Sequence, residues 1–385
     1  MKIAIVCDVL GKKNNGTTIA AYNLIDSLIA KGHEVIVVCS DEKILSDCAH
    51  VQVPTLDLHF KALNNYVSSN DIAVAVRDDR IIYNAIKDVD HCHIMMPFSL
   101  GGFAAQICQR KGISSSAGFH VQAENFSSHF KLMNAAWFNS VVYRLIRNRL
   151  YNRVNSIHYP TEFIYDLFSK YRPTGKPYII SNGVVPIFKK LDDVKRPDEY
   201  EGKFVILSTG RYSREKDQIT LIRAVKYSKY ADKIQLIFAG DGPLKKKFIY
   251  HSRRLKNPLK LALFTREELV KVINYSDLYV HTAICEIEAI ACLEALSCGL
   301  VPIIANSRRS ATRKFSLSEH SSFIHHNPRD LAKKIDFMIE NPAVKQELSN
   351  KYLEFSNQKF SLDDCMDKME AMIIETYKEN VKKMA

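Results

Sequence analysis

Two runs of the sequence hold residues whose types and spacing suit a hydroxylated, phosphorylated ligand. In Glu286-Ile-Glu-Ala-Ile-Ala-Cys-Leu-Glu294 two carboxylates stand eight positions apart, which is ~80° around an ideal helix. A helix beginning near Glu288 would turn both toward one groove, with Glu286 in the loop before it. There its carboxylate and the open N–H groups of the first turn can grip hydroxyls and phosphate together. The alternative is a solvated pair on an amphipathic helix. However, Ala289, Ile290, Ala291, Cys292 and Leu293 make the surroundings apolar, and a Glu294 buried there without use is costly. The second run is Thr209-Gly210-Arg211-Tyr-Ser-Arg-Glu-Lys216. Gly210 lets the chain turn, and Arg211 and Lys216 bring two cations to a helix start. That is a cradle for a diphosphate on which negative charge grows as it leaves; for these residues solvent-exposed charge is the alternative.

The elements that must position these residues are legible as alternating strands and helices. Lys2 to Cys7 is an apolar run of buried-strand length, followed by a polar loop with Gly16 and by Ala20, Leu24, Ile25, Leu28 and Ile29 at helical spacing. Gly32 stops that helix, and Glu34 to Cys39 is a second strand. The alternation continues through 92–96, 99–111 and 115–119. A charged, Pro-containing stretch, Lys189 to Lys203, precedes a second set: strand Phe204 to Thr209, helix 215–229, strand Ile234 to Ala239, strand Leu278 to Val280, helix 288–298 and strand Val301 to Ala305. The tail from 328 to 383 is helical by pattern. This predicts two α/β domains with mostly parallel sheets, and ligands sit outside the carboxyl ends of such strands. The Asn14-to-Thr18 loop, Ile180-Ser-Asn-Gly-Val184 and Ala239-Gly-Asp-Gly-Pro243 all lie at such ends.

Composition narrows the class. The 385 residues are 46% hydrophobic and 25% charged, which excludes disorder and collagen-like repeats. Lys+Arg 54 against Asp+Glu 42 leaves a formal +12, suited to an anionic partner. Nine cysteines without a C-x-x-C pair read as reduced, cytosolic usage. No run approaches the ~18 apolar residues of a membrane span. Asp88-Val-Asp90 reads as a helix-to-strand turn and His91-Cys-His93 as alternate positions of one strand, so no metal is expected.

Taken together, these motifs resemble the family-four retaining glycosyltransferases of the two-domain GT-B fold. The resemblance rests on Gly16 ahead of the first helix, Gly32-His33-Glu34-Val35, Asn182-Gly183-Val184, Gly210-Arg211 with Glu215-Lys216, Gly240-Asp241-Gly242-Pro243 and Glu286-x7-Glu294, in the family's order over almost the whole chain. It implies two Rossmann-like domains facing a cleft: 1–190 on the acceptor side, 191–360 binding the nucleotide sugar, and 361–385 a helix crossing back onto the first. It also implies roles. Arg211 and Lys216 bind the donor diphosphate beside Gly210, Glu286 contacts donor-sugar hydroxyls, and Glu294 holds the ribose. The Gly16 loop approaches donor or acceptor, and His120, after a first-domain strand, lines the reaction centre. The cosubstrate would be a nucleotide-diphosphate sugar with no cofactor. Two departures border the donor pocket: Ile287-Glu288-Ala289 where the family often has Pro-Phe-Gly, and Asn306-Ser-Arg-Arg-Ser310 where it usually has Gly-Gly.

The acceptor is addressed by charge. Between Glu124 and Glu162 the chain has no acidic residue but holds Lys131, Arg144, Arg147, Arg149 and Arg153, interleaved with Phe126, Phe130, the only Trp (Trp137) and an apolar stripe at 138, 141, 142 and 145. A basic amphipathic helix with aromatics is a membrane-surface signature; a core helix with snorkelling arginines is the alternative. Pro243 to Arg266 is a second acid-free basic stretch. Segments 126–153 and 243–260 would dock the chain on an anionic membrane surface; the resemblance implies that this is the inner face of the cell membrane, with a hexose moved from UDP-glucose or UDP-galactose to a lipid such as diacylglycerol. Runner-up readings are transfer to a saccharide or lipid-linked intermediate of cell-surface polysaccharide assembly, a non-catalytic sugar-nucleotide sensor, and a GT-B-like epimerase. Nucleic acid is not expected, because no recognition motif accompanies the charge.

Overall fold

A computed structural model of the chain describes residues 1–8, 10, 16–55, 75–128 and 132–384. They form two compact units, Met1–Asn182 with Asp363–Ala385, and Gly183–Leu362.

In the first unit seven parallel strands run in the order β3-β2-β1-β4-β5-β6-β7. They are β1 Lys2–Val6, β2 Glu34–Cys39, β3 Ala49–Gln52, β4 His91–Ile94, β5 Ser115–Gly118, β6 Ser156–Tyr159 and β7 Lys176–Ile179. Ile3, Ala4, Ile5 and Val6 of β1 are wholly buried, because helices cover both faces of a parallel sheet and no side is left for alternating polar residues. Helices α1 Gly16–Ala30, α2 Asp79–Ile86, α3 Ser99–Lys111, α4 Ala123–Ser128, α5 Ala136–Ile146 and α6 Glu162–Ser169 connect the strands. Local chemistry sets several ends: the Asp78 carboxylate accepts from the Arg80 and Ile81 N–H groups at the start of α2, and Gly112 closes α3 at φ +69°.

The second unit has a six-stranded parallel sheet in the order β10-β9-β8-β11-β13-β15 and a separate two-stranded ladder, β12-β14. The strands are β8 Phe204–Thr209, β9 Ile234–Ala239, β10 Lys260–Ala262, β11 Leu278–His281, β12 Cys285–Glu286, β13 Pro302–Ala305, β14 Arg309–Ser310 and β15 Ser322–Phe323. The helices are α7 Gln218–Tyr227, α8 Lys245–Ser252, α9 Arg266–Tyr275, α10 Ile290–Ser297, α11 Pro328–Glu340 and α12 Pro342–Lys359. Val205, Ile206, Leu207, Ile237, Phe238 and Val280 fill the core under these helices. The last helix, α13 Leu362–Met384, belongs almost wholly to the first unit. It buries Met366, Met369, Met372 and Ile373 there, its Thr376 hydroxyl meets that of Ser156 on β6 at 2.8 Å, and its Glu370 bonds Lys31 and His33.

Two helix starts differ from the sequence reading. The helix expected from 215 begins at Gln218, after a short 3-10 turn at Arg214–Lys216 and a left-handed Asp217 (φ +46°). The helix expected from Glu288 begins at Ile290, because Ala289 is also left-handed (φ +63°). Left-handed residues cannot belong to a right-handed helix, and neither was visible from periodicity. Ala289 occupies the place of the glycine in the family's Pro-Phe-Gly, the residue that would adopt this backbone without strain.

Candidate active site

The carboxyl ends of β8, β9 and β11 in the second unit gather the residues that the sequence singled out there. Gly210, Gly240 and Gly242 hold φ of +132°, +151° and +154°. A Cβ at Gly242 would stand 2.7 Å from the Tyr212 nitrogen, and one at Gly240 would collide with the Gly210 carbonyl. The loops after β8 and β9 thus pack backbone to backbone. The Tyr212 N–H donates to the Asp241 carbonyl (2.8 Å), while its phenol is buried and donates to the Phe238 carbonyl. This packing leaves Arg211 exposed.

Lys216, from the same loop, is ion-paired to Glu286 through Nζ and Oε1. Glu286 is buried on β12, which pairs with Arg309–Ser310 of β14. Burial alone would raise its carboxyl, but the Lys216 ammonium and His281 together outweigh that and hold it down at about 2. Burial likewise opposes the Lys216 charge, and Glu286 overrides it to raise the lysine. The pair is therefore fully ionised at neutral pH. His281 and Tyr279, which the sequence reading did not single out, stand behind it. His281 Nε2 lies 3.4 Å from Glu286 Oε1, the Tyr279 hydroxyl 3.4 Å from His281 Nδ1, and Thr209 Oγ1 2.8 Å from that hydroxyl. Their signal was position alone, at a strand's carboxyl end one loop before Glu286.

Glu294 lies on α10, buried, with no hydrogen-bond partner among the described residues. Burial pushes its carboxyl up to about 7, with the Arg266 guanidinium opposing. Arg266 opens α9 and its Nη2 is buried without a partner. Both carboxylates act on the Tyr279 phenol. The site thus offers one ionised carboxylate clasped by a cation, one carboxyl that is about half protonated at neutral pH and makes no hydrogen bond to the described residues, and an exposed arginine. This is an arrangement able to receive hydroxyl donors and phosphate oxygens. Of the two arginines in the Asn306–Ser310 departure, Arg308 is exposed and Arg309 is engaged by the β14 ladder.

Gly16 and His120 lie in the first unit. Gly16 is the first residue of α1, and Asn14 and Asn15 of its loop lie outside the described residues. His120 follows β5 with its ring folded back over Gly118, where a Cβ would strike Nε2. The ring joins three other imidazoles: its centroid is 5.6 Å from that of His158, and His158 is 6.4 Å from His93. His158 Nε2 donates to the Ile180 carbonyl (2.7 Å), so Nδ1 of the neutral ring is a bare acceptor. His120 Nε2, His93 Nε2 and His158 Nδ1 are buried without partners. Burial, then the neighbouring His158, lowers His120 to about 3; burial lowers His91 to about 3 and His158 to about 4. His91 Nδ1 and Nε2 meet the Ser114 and Ser116 hydroxyls. Asp90 turns back to accept from the Lys2 N–H at 2.8 Å. Among the described residues no group of three or more His, Cys, Asp or Glu is placed to hold a metal ion.

The comparisons with known proteins cover both units. The model "Glycosyltransferase Family 4" matches residues 14–186 and "Glycosyl transferases group 1" matches 189–356. This chain is a family-four glycosyltransferase. Alpha-monoglucosyldiacylglycerol synthase of Acholeplasma laidlawii is 22% identical over 100% of this chain and 99% of its own. The enzyme of that name from Streptococcus pneumoniae is also 22% identical, over 100% of this chain and 89% of its own. Anabaena HepE, solved with UDP and glucose, aligns with a TM-score of 0.73 at 14% identity, over 97% of this chain and 100% of its own. The fold is GT-B.

The surface of this glycosyltransferase corrects one reading. The apolar stripe of α5 that faces outward is Trp137, Val141 and Leu145, at 69%, 45% and 61% exposure, rather than 138, 141, 142 and 145. Asn139 and Tyr143 point inward, and the Tyr143 hydroxyl bonds the Glu124 carboxylate. Arg144 is exposed beside the stripe, Arg147 donates to the Tyr171 carbonyl (2.8 Å), and Arg149 lies over the Phe103 ring. Phe130 and Lys131 lie outside the described residues. In the second unit, α8 presents Lys245, Lys246 and Lys247 with exposed Ile249 and Tyr250. No helix among the described residues is long and apolar enough to cross a membrane.

Proposed function

We propose that this enzyme moves a hexose, with retention of the α configuration, from a UDP-sugar to the hydroxyl of a membrane lipid such as diacylglycerol. The observation that carries the donor half is the ionised Lys216–Glu286 pair beside the unpartnered Glu294. Glu286, acceptor-only when ionised, takes hydrogen bonds from donor-sugar hydroxyls and orients the ring. The remaining N–H donors of Lys216, with the Arg211 guanidinium, meet the diphosphate and stabilise its charge as the anomeric C–O bond breaks. Glu294 accepts from the ribose hydroxyls. In this reading His120 is the first-domain residue for the sugar's reacting face, and the Gly16 loop serves donor or acceptor. These cations supply the electrostatic stabilisation, so no metal or cofactor is required.

The acceptor half is supported by the exposed Trp137-Val141-Leu145 stripe beside Arg144, by the lysine-rich face of α8, and by full-length similarity to two alpha-monoglucosyldiacylglycerol synthases. Aromatic and aliphatic side chains flanked by cations partition into an anionic interface, which supports a peripheral position on the cytoplasmic leaflet. The test incubates the enzyme with UDP-[14C]glucose, UDP-[14C]galactose or GDP-[14C]mannose and lipid extracts, with and without EDTA. Label from a UDP-sugar in the organic phase, undiminished by EDTA, is the expected result. Label confined to water-soluble glycan transfers the acceptor to a saccharide, and tight UDP binding without turnover returns the chain to a sensor.

A further inference from the structure

Four loops leave the carboxyl ends of β8, β11, β13 and β15, and hydrogen bonds join them in a closed ring. Thr282 Oγ1 donates to the Lys216 carbonyl (2.6 Å) and the Ile284 N–H to the Glu215 carbonyl (2.8 Å), tying the β11 loop to the β8 loop. Ser307 Oγ donates to the Ile284 carbonyl (2.6 Å), which ties the β13 loop to the β11 loop. His325 Nδ1 donates to the Asn306 carbonyl (3.0 Å), which ties the β15 loop to the β13 loop. The ring closes where His326 Nδ1 meets Asp217 Oδ2 at 2.8 Å.

This last link is unlike the others. Both of its residues are left-handed, Asp217 at φ +46° and His326 at φ +61°, a conformation most residues with a Cβ avoid. Asp217 also stands where an aspartate would cap α7, yet its side chain caps no helix N–H. The carboxylate is given over to His326 and to the Thr220 hydroxyl, which donates to it at 2.7 Å. Asp217 directly follows Lys216, so the left-handed turn decides where the lysine's backbone, and hence its ammonium, is aimed. Holding both strained residues in one hydrogen bond over-determines that aim.

We propose that His326 is a positioning residue for Lys216: by gripping the Asp217 carboxylate it holds the turn that directs the lysine to Glu286 and to the donor's diphosphate. This rests on the reading of Lys216 as a diphosphate-binding cation. His326 touches no reacting atom and acts only through Asp217.

The experiment measures UDP affinity calorimetrically for the full-length chain and four sets of variants. His326→Gly accepts the backbone angle but removes the ring. His326→Asn also tolerates it and returns an N–H close to the position of Nδ1. Asp217→Gly lets the turn form without restraint, alone and combined with His326→Gly. Lys216→Ala reports on the parent reading. His326→Gly should weaken UDP binding about tenfold, since small misplacements of a charged group are costly, and His326→Asn should restore most of it. In the Asp217→Gly background His326→Gly should add nothing. A merely structural role would lower the melting temperature while leaving UDP affinity unmoved. That result, or failure of His326→Asn to restore binding, or simple additivity of the two glycine changes, overturns the inference. If Lys216→Ala also binds UDP normally, the donor-site reading falls with it; if Lys216→Ala loses binding and His326→Gly does not, only the inference falls.

Discussion

The two units bury polar side chains under similar parallel sheets but settle their charges in opposite ways. In the first, His91, His93, His120 and His158 sit together beneath β4, β5 and β6 and are kept neutral, and burial pushes the Asp8 carboxyl up to about 7 although the Leu100 N–H and Arg149 oppose it. In the second, Glu286 is equally buried yet ionised, because the loop after β8 delivers Lys216 to it. Desolvation decides the charge state unless a cation is brought close enough to pair. A fold repeated twice can therefore offer neutral hydrogen-bonding groups from one half and a fixed ion pair from the other.

The sharpest way to break this comparison is acid. All four imidazoles are lowered in the folded chain, so their contribution to stability is complete above their ordinary value of about 6.5 and is lost as pH falls, toward about 3 for His91 and His120 and about 4 for His158. Asp8 and Glu294 are raised, so theirs is complete below their ordinary carboxylate values and lost as pH rises through about 7. Between pH 6.5 and 4.5 the imidazoles outnumber these carboxyls. Unfolding should then take up on the order of one to two protons, and each is worth ~1.4 kcal/mol per pH unit. Urea melts across this range should show stability falling with acid, and His158→Gln, which can still donate to the Ile180 carbonyl, should flatten the slope. Stability that does not change over the range would mean the cluster is hydrated and charged.

Next comes the ion pair itself. Glu286→Gln should reduce transfer by about 10²- to 10³-fold, the usual effect of removing one hydrogen-bonding group from the transition state. It also leaves the Lys216 ammonium without its partner, so a fall in melting temperature should accompany the lost rate. Glu286→Gln with wild-type turnover would take Glu286 out of the site and leave the pair as a structural tie between two loops.

How much of this was legible in the sequence follows from the range of the interactions concerned. Strands Phe204–Thr209 and Ile234–Ala239 and helix Ser99–Lys111 lie where the apolar runs and helical spacing put them, because burial on both faces is written locally. The family, too, is carried by motifs whose order and separations are written in the sequence itself. The left-handed residues at 217, 289 and 326, the ring of loop hydrogen bonds and the stacking of Tyr279 and His281 behind Glu286 were not legible. The ring and the His326 link depend on partners far along the chain, and neither a positive φ nor a ring stacking two residues apart on one strand leaves a mark in hydrophobic periodicity. Of the expected α5 stripe, Val141 and Leu145 do face outward, but Trp137 joins them in place of Phe138 and Val142, and Asn139, polar by type, is turned inward to donate to the Met133 carbonyl.

The outward face of α5 separates docking from catalysis. Trp137→Glu with Leu145→Glu places two carboxylates on the exposed stripe without touching the inward Asn139 and Tyr143. Pelleting with anionic vesicles should fall by an order of magnitude or more, since each apolar side chain withdrawn from the lipid and each charge repelled by it is worth roughly 1 kcal/mol. UDP affinity should stay at its wild-type value. These side chains are better targets than Arg147 and Arg149, whose replacement would also disturb their packing on Tyr171 and Phe103. Pelleting that survives both substitutions would remove α5 from the membrane and leave α8 as the basic surface to test.

The smallest effect sharpens the contrast between the two carboxylates of the second unit. Glu286 is ionised at any pH the enzyme meets, whereas burial holds Glu294 near about 7. Ribose hydroxyls are received most strongly by the carboxylate, both of whose oxygens only accept, so UDP binding should expel the Glu294 proton. Affinity should then rise as pH increases from 6 to 8, by no more than about tenfold, and flatten above that. Glu294→Gln should remove this dependence while gaining stability at pH 8, where the wild-type chain carries an unpaired buried charge. A pH-dependent affinity that persists in Glu294→Gln would assign the titration to another group and leave the ribose without this partner.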